Sequence, residues 1–314
     1  MEEKSIFERN DDFSSLVKTA KRKSLKKTIL ISIIVTVMVF ALLWAVLAVG
    51  IYFMNKRIET QLDGLYTELY FTGANIESNA TSFDNFLVAT KTSSKLYKRV
   101  GPHLIDWGTF DYFYTILGAQ TVLQTGGAMS INDSSLYTNN QRALTFHVPS
   151  EPTNKNDFDY IVGLPDFYNI EVAISFKELL PLSTVQTQFP TTQWAWLLDD
   201  GIYAEIEEVK KAEEEASPEL STLFPKDTSE VSDSRAYGFS VWNHTPIESA
   251  EFYKEQLAYR EGPQVDIMRH IIGEQAPKDW LVAGVVLTGK QEELLPYLQQ
   301  NSVRTVRVGV VIPY

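Results

Sequence analysis

Histidine is the residue type in this chain best suited to binding a metal ion or transferring a proton near neutral pH. The four histidines are scattered, and none forms an i, i+4 pair or an H-E-x-x-H motif: they are His103, His147, His244 and His270. The chain contains no cysteine, so a thiolate metal site, a thiol nucleophile and a disulfide are all excluded. We therefore expect each histidine to be a surface residue or a satisfied core residue, with no metal bound.

Paired carboxylates could serve as a general acid and base. Asp199 and Asp200 fall in a predicted turn, and Glu213, Glu214 and Glu215 lie in an acidic helical stretch, residues 204–219, typical of a solvated face. The chain also lacks a G-x-S-x-G motif and a phosphate-binding glycine loop. The sequence thus predicts a protein that is not an enzyme and needs no cofactor.

Tryptophan residues could form a platform for a ligand. Most of those that follow residue 54 alternate with other residues along predicted strands, which favours packing in a core over ligand binding. This set consists of Trp107, Trp194, Trp196, Trp242 and Trp280.

The element that organises the rest of the chain is an apolar run over residues 28–54, and no charge occurs between Lys27 and Lys56. At about 1.5 Å per residue, a helix of this length can cross a hydrocarbon core of about 30 Å. Its backbone amides must be satisfied within the segment, which a helix achieves. A cleaved signal peptide would have a shorter apolar region and a small-residue cleavage site, so we predict a single transmembrane helix.

Basic residues are concentrated on the N-terminal side of this span, where six lie close to it, against Lys56 and Arg57 on the other side. The positive-inside rule then places residues 1–27 in the cytoplasm and the C-terminal region outside the membrane. Residues 1–57 hold ten basic and five acidic residues, which leaves 18 basic and 35 acidic residues beyond them, a net charge of −17. So acidic a region argues against direct binding of nucleic acid.

The cytoplasmic tail carries an apolar stripe. Asp11 and Asp12 could cap a short helix that presents this stripe on one face at helical spacing: the tail stripe consists of Phe13, Leu16, Val17 and Ala20. Basic residues follow it and face the membrane surface: they are Lys21, Arg22, Lys23, Lys26 and Lys27. Two interpretations remain open, a binding surface for a cytoplasmic partner and a basic amphipathic helix resting on the lipid bilayer.

Beyond the span, the helical pattern could continue outward as far as Gly73, and residues 55–150 then become β-rich, with a turn at Gly101 and Pro102. Residues 149–157 are the best linker candidate. We expect residues 158–314 to form an α+β sandwich, with a ferredoxin-like arrangement as one candidate. This part includes a half-buried strand over residues 170–176 and a central strand over residues 281–289.

Two helix starts are predicted in the C-terminal part. Thr245, Pro246 and Glu248 have the spacing of a capping box with proline at the first helical position. Thr288 and Gln291 form a second, box-like start, with the helix ending near residue 300.

Several segments resemble the sigma factor regulator family. The N-terminal segment over residues 13–40, with the stretch from Pro102 to Gly108, is similar to the N-terminal region of that family. Residues 176–201, 238–246 and 284–311 are similar to its C-terminal region, and together the two regions cover most of the chain.

This resemblance implies a membrane-bound, anti-sigma-factor-like protein of Gram-positive bacteria, which regulates an extracytoplasmic-function sigma factor in response to the cell envelope. A tail of 27 residues could supply one helix to a sigma factor but could not enclose one, so the expected partner is a sigma factor or a co-regulatory membrane protein. The alternative is a structural or ligand-binding envelope protein whose N-terminal helix only anchors it.

Overall fold

The computed structural model describes residues 6–78, 80–126, 137–138, 141–149, 151, 153–198, 201, 211, 230–241 and 244–313. Outside these residues lie the predicted turn at Asp199 and Asp200, the carboxylates from Glu213 to Glu215, and Trp242. We use the term globular part for residues 72–313.

The helices are, in chain order, α1 (Ile6–Phe71), α2 (Phe158–Val162), α3 (Leu182–Gln188), α4 (Pro246–Tyr259), α5 (Pro263–Ile272) and α6 (Gln291–Leu298). The strands are β1 (Ile76–Ser78), β2 (Ser82–Asn85), β3 (Ala89–Val100), β4 (His103–Thr115), β5 (Gln120–Gly126), β6 (Tyr137–Thr138), β7 (Gln141–Arg142), β8 (Thr145–His147), β9 (Tyr168–Pro181), β10 (Trp194–Leu197), β11 (Glu230–Ser232), β12 (Gly238–Ser240), β13 (Leu281–Lys290) and β14 (Val303–Pro313).

Helix α1 is a single element of 66 residues, about 100 Å long. It contains no proline, and its middle is rich in aliphatic residues, so nothing in the sequence interrupts it. The predicted cap at Asp11 and Asp12 is wrong, because both residues lie inside the helix. The predicted end is confirmed, since the helix stops at Phe71 and Gly73 adopts a φ of +78° that favours glycine. The helix is long and apolar enough to cross a membrane.

The first sheet is antiparallel, with strand order β1-β3-β4-β5 and β2 also paired with β3. Strands β3 and β4 form a long hairpin whose turn contains Gly101, as predicted, at a φ of +58°. The C-terminal half of α1 packs on one face of this sheet, where Leu65 lies in a cluster with Trp107 and Met54 in a cluster with Tyr114. The predicted β-rich character of this region is confirmed.

The second sheet is also antiparallel, with strand order β12-β10-β13-β9-β14. The unit β9-α3-β10 leaves a gap between its strands that β13 fills, and the unit β13-α6-β14 leaves a gap that β9 fills. The four strands of these two units, in the order β10-β13-β9-β14, have the interleaved antiparallel arrangement of the ferredoxin-like candidate, and β12 is an additional strand at the sheet edge. The prediction that residues 281–289 form a central strand is confirmed.

Strand β9 is buried on both faces, so the prediction of a half-buried strand is wrong. Helices cover one face, and a third layer formed by β8, paired with β11, covers the other. The backbone amide of His147 in β8 donates to Ser175 Oγ in β9 at 2.9 Å. As a result, the polar side chains of β9, which the alternation predicts to face solvent, point into a second core.

The predicted linker, residues 149–157, is bonded to this body near its C-terminal end. The Asp157 carboxylate accepts hydrogen bonds from Arg142 Nη1 at 2.8 Å and from Arg307 Nη1 at 3.1 Å. Lys155 Nζ lies 2.6 Å from Glu230 Oε2 in β11. These ion pairs hold the segment against β14 and the third layer.

Candidate functional site

The tail stripe and the basic residues that follow it lie on the same helix as the apolar span. The Phe13 and Leu16 side chains are 68% and 66% exposed, and those of Val17 and Ala20 are exposed as well. From the first residue of the stripe to Lys27, the helix then makes about four turns before the apolar run begins. The stripe is therefore accessible to a partner, and its position is linked through α1 to the rest of the chain.

The opposite end of α1 is fixed to the globular part by aromatic contacts. The Tyr70 and Tyr253 rings stack with centroids 5.1 Å apart, and Phe71, which is fully buried, meets Tyr253 edge-on at 5.1 Å. The Arg260 guanidinium lies 4.8 Å from the Tyr70 ring centre and donates to Thr67 Oγ1 at 3.3 Å. Burial raises the pKa of the Tyr70 hydroxyl to about 12.

Directly after α1 the chain enters a buried polar cluster that sequence reasoning missed. Lys98 Nζ lies 2.7 Å from Asp233 Oδ2 and 3.3 Å from Glu171 Oε2, and all three side chains are closed to solvent. The same ammonium group lies 4.2 Å above the Trp107 ring. Asn75 Nδ2 donates to Glu171 Oε1 at 2.7 Å. We call Asn75, Lys98, Glu171 and Asp233 the junction cluster.

The junction cluster connects the first sheet, the second sheet and the third layer of the globular part. Lys98 belongs to β3 of the first sheet, Glu171 to β9 of the second, and Asp233 to the turn after β11. Asn75 follows α1 with a φ of 59°, a conformation that asparagine tolerates better than most residues. In addition, the Ala74 amide donates to the Asp233 carbonyl at 3.0 Å. The C-terminal end of α1 is thus held where the three layers meet.

Two carboxylates share one ammonium group in this cluster. Burial opposes the charge on Lys98, but Asp233 and Glu171 outweigh it, so the pKa of Lys98 is raised and the side chain is protonated. Burial also raises the pKa of Glu171, against the effect of Lys98 and of the Asn75 and Val310 donors. Because no solvent reaches these groups, they serve to hold the layers in register rather than to bind a soluble ligand.

Among the residues that the structure describes, no group of three or more histidine, aspartate or glutamate side chains is arranged to hold a metal ion. Packing of tryptophan in the core is confirmed for the four described ones, which are all fully or almost fully buried: Trp107, Trp194, Trp196 and Trp280.

No family model, no curated protein and no solved structure matches the chain.

Alkaline conditions should weaken the fold through the junction cluster. Lys98 has a raised pKa in the folded protein, so its ion pairs contribute fully below the unfolded-state pKa of about 10.4 and are lost as pH rises through the folded-state value. Tyr70 and Tyr114, both with a pKa of about 12 caused mainly by burial, shift stability in the same direction. We expect the free energy of unfolding, measured in urea, to fall as pH rises above about 10.

A variant with Tyr70→Phe, Tyr112→Phe, Tyr114→Phe and Tyr253→Phe separates the two contributions, because it replaces the four tyrosines whose pKa is raised by burial and leaves Lys98 in place. We expect this variant to retain part of the alkaline loss. A urea midpoint that stays constant in the variant between about pH 9 and pH 12 would contradict the assignment to Lys98.

Proposed function

We propose that this protein is a single-pass membrane regulator that couples an event on its extracytoplasmic globular part to a sigma factor in the cytoplasm. The resemblance to sigma factor regulators suggests the target, and the distribution of charge suggests the orientation, with six basic residues before the span and two after it. The observation that carries the proposal is the continuity of α1, which joins the tail stripe to the aromatic contacts and the junction cluster.

Such a protein needs two sites and a physical connection between them. In this proposal the tail stripe contacts either the sigma factor or a co-regulatory membrane protein that binds it. The globular part is the second site. If binding there changes the affinity of the stripe for its partner by a given factor, binding of the partner changes the affinity at the globular part by the same factor, because coupling free energies are reciprocal. A single helix can transmit the change by moving as a body, by associating with a second helix, or by being cut.

Leu16→Asp tests the cytoplasmic contact. A charge in the centre of the apolar stripe should abolish co-purification of the partner with the full-length protein from membranes in mild detergent, because an unpaired charge in an apolar contact is costly. Transcription from the promoters of the affected sigma factor should change in the same strain. Co-purification by mass spectrometry and a transcriptome comparison with the parent strain measure the two effects.

Ser15→Asp is the matched control, since it adds the same charge to the opposite side of the same helical turn. It should leave both the partner and the transcriptome unchanged. If deletion of residues 1–22 leaves transcription unchanged and no sigma factor or membrane protein is retained, the regulatory proposal fails. The alternative, an envelope protein that α1 only anchors, would then account for the result.

A further inference from the structure

Two neighbouring turns of the first sheet expose large apolar side chains. The turn between β2 and β3 carries Phe86, Leu87 and Val88, and the turn between β4 and β5 carries Leu117. The Leu117 and Leu87 side chains are 91% and 78% exposed, and those of Phe86 and Val88 are also exposed. Tight turns usually carry glycine, asparagine, aspartate or serine. A contiguous apolar surface at this place therefore indicates that the two turns contact another apolar surface rather than water.

Hydrogen bonds fix the two turns to one another. The Ile116 amide donates to the Val88 carbonyl at 3.0 Å, which joins the second turn to the first. Within the turns, the Phe86 amide donates to the Ala89 carbonyl at 2.8 Å. Phe86, Leu87, Val88 and Leu117 therefore form one surface, which we call the hairpin-tip patch.

The hairpin-tip patch lies beside the C-terminal end of the apolar span of α1. A methyl group added to Gly50 would come within 2.9 Å of Ile116 Cβ, so the helix and the second turn are in direct contact there. The same turn also reaches Arg57, whose Nη1 lies 3.2 Å from the position of a Cβ on Gly118. The patch thus lies alongside residues 50–57, where the apolar run ends and the first charges occur.

The length of the apolar span determines how deep in a bilayer the contact between Gly50 and Ile116 would lie. Residues 28–54 extend about 40 Å as a helix, which matches a bilayer with its headgroup regions, about 40–45 Å, rather than the hydrocarbon core of about 30 Å. Gly50 lies about 6 Å inside the outer end of the run. If residues 28–54 cross the membrane, Ile116 lies near the boundary between headgroups and acyl chains.

We infer that the hairpin-tip patch inserts into the outer leaflet, with lipid acyl chains as its occupant. This inference rests on the proposed function, since it requires that α1 crosses the membrane. Lipid is favoured over a protein partner because the patch continues the lipid-facing surface of the span, and because Arg57 beside it supplies a cation at the level of the lipid phosphates. The globular part then contacts the bilayer at two places, α1 and the patch, which limits its rotation relative to the membrane.

The absence of cysteine makes the full-length chain suitable for site-directed spin labelling. A nitroxide is attached after Leu117→Cys, Leu104→Cys or Leu43→Cys, and each protein is reconstituted in vesicles of phosphatidylcholine and phosphatidylglycerol. Leu104 is the matched control, because it is also an exposed leucine of the first sheet. It lies at the start of β4, whereas Leu117 follows the end of that strand, roughly 40 Å away. Collision rates with oxygen, which concentrates in lipid, and with a water-soluble nickel chelate give the depth of each label.

We expect the ratio of oxygen to nickel collisions to be several-fold higher at Leu117 than at Leu104, and highest at Leu43. If the label at Leu43 is deep but the label at Leu117 is as accessible to nickel as that at Leu104, the inference is wrong while the membrane-spanning proposal stands. If the label at Leu43 is itself accessible to nickel, the spanning proposal fails. Spin–spin broadening at Leu117 that disappears on dilution with unlabelled protein would identify a second copy as the occupant and overturn the lipid assignment.

Discussion

Lys98→Met is expected to destabilise the globular part by about 3–5 kcal/mol, because it leaves two buried carboxylates without their shared cation. Methionine has a similar length, so the volume beside Trp107 is largely retained and the change is mainly electrostatic. Glu171 and Asp233 cannot be rehydrated in place, since both side chains are fully buried. Urea unfolding of the full-length protein in detergent, followed by circular dichroism and tryptophan fluorescence, measures the loss.

Lys91→Met is the matched control for this prediction. Lys91 lies on the same strand and forms an ion pair of 2.9 Å with Asp111, but at the surface, so its replacement should change stability little. A triple variant with Lys98→Met, Glu171→Gln and Asp233→Asn should regain much of the loss, because it removes the uncompensated charges. Equal effects of the Lys98 and Lys91 replacements would show that burial of the cluster does not determine its energetics.

Phe71→Ala should cost about 3–5 kcal/mol, the usual range for removing a phenyl ring from a well-packed core. Phe71 is the last residue of α1, and its side chain lies in the main core of the second sheet against Tyr253. Its loss opens a cavity at the place where the helix joins the globular part. We therefore expect faster amide hydrogen exchange in residues 65–76 in addition to the lower urea midpoint.

Phe252→Ala serves as the control, because Phe252 precedes Tyr253 on α4 but its side chain is 56% exposed. Its replacement should change stability by no more than about 0.5 kcal/mol. If Phe71→Ala lowered the midpoint without accelerating exchange at the end of α1, the cavity would be confined to the sheet core. The contact between helix and globular part would then depend on Tyr70 and Arg260.

Features encoded by adjacent residues could be predicted from the sequence. The capping box at Thr245 is confirmed, with the Glu248 amide donating to Thr245 Oγ1 at 3.3 Å and the Thr245 amide donating to Glu248 Oε2 at 2.8 Å. The second helix start, predicted at Thr288, lies two residues further along the chain. The helix begins after Lys290, whose amide donates to Glu293 Oε2 at 2.8 Å, because β13 continues through Thr288 and its ladder outweighs the local capping signal.

The junction cluster could not be predicted, because its members are far apart in the chain: 73 residues separate Lys98 from Glu171, and 135 separate it from Asp233. In β9 the alternation of apolar residues with Glu171, Ala173 and Ser175 is typical of a strand with one face in solvent. The layer that covers this face comes from two three-residue strands, β8 and β11, whose pairing has no short-range signal.

The tail stripe, in contrast, was identified from the sequence, and whether it binds a partner stays a prediction. The sequence predicted separate helices for the tail and the span, with an outward continuation, whereas the structure has one helix throughout. The cap signal at Asp11 and Asp12 was overridden because the residues on both sides of it are also compatible with a helix.

The unbroken course of α1 determines which movements of the globular part could be detected at the tail. Between Leu16 and Phe71 the helix is a stiff rod about 80 Å long, so it conveys tilt and axial rotation but no change in length. A tilt of about 5° at Phe71 displaces Leu16 by roughly 7 Å, whereas an axial turn leaves it in place and redirects its side chain. In the proposed regulator, angles measured relative to the membrane normal, rather than distances along the helix, are thus the quantities that would report a change in state.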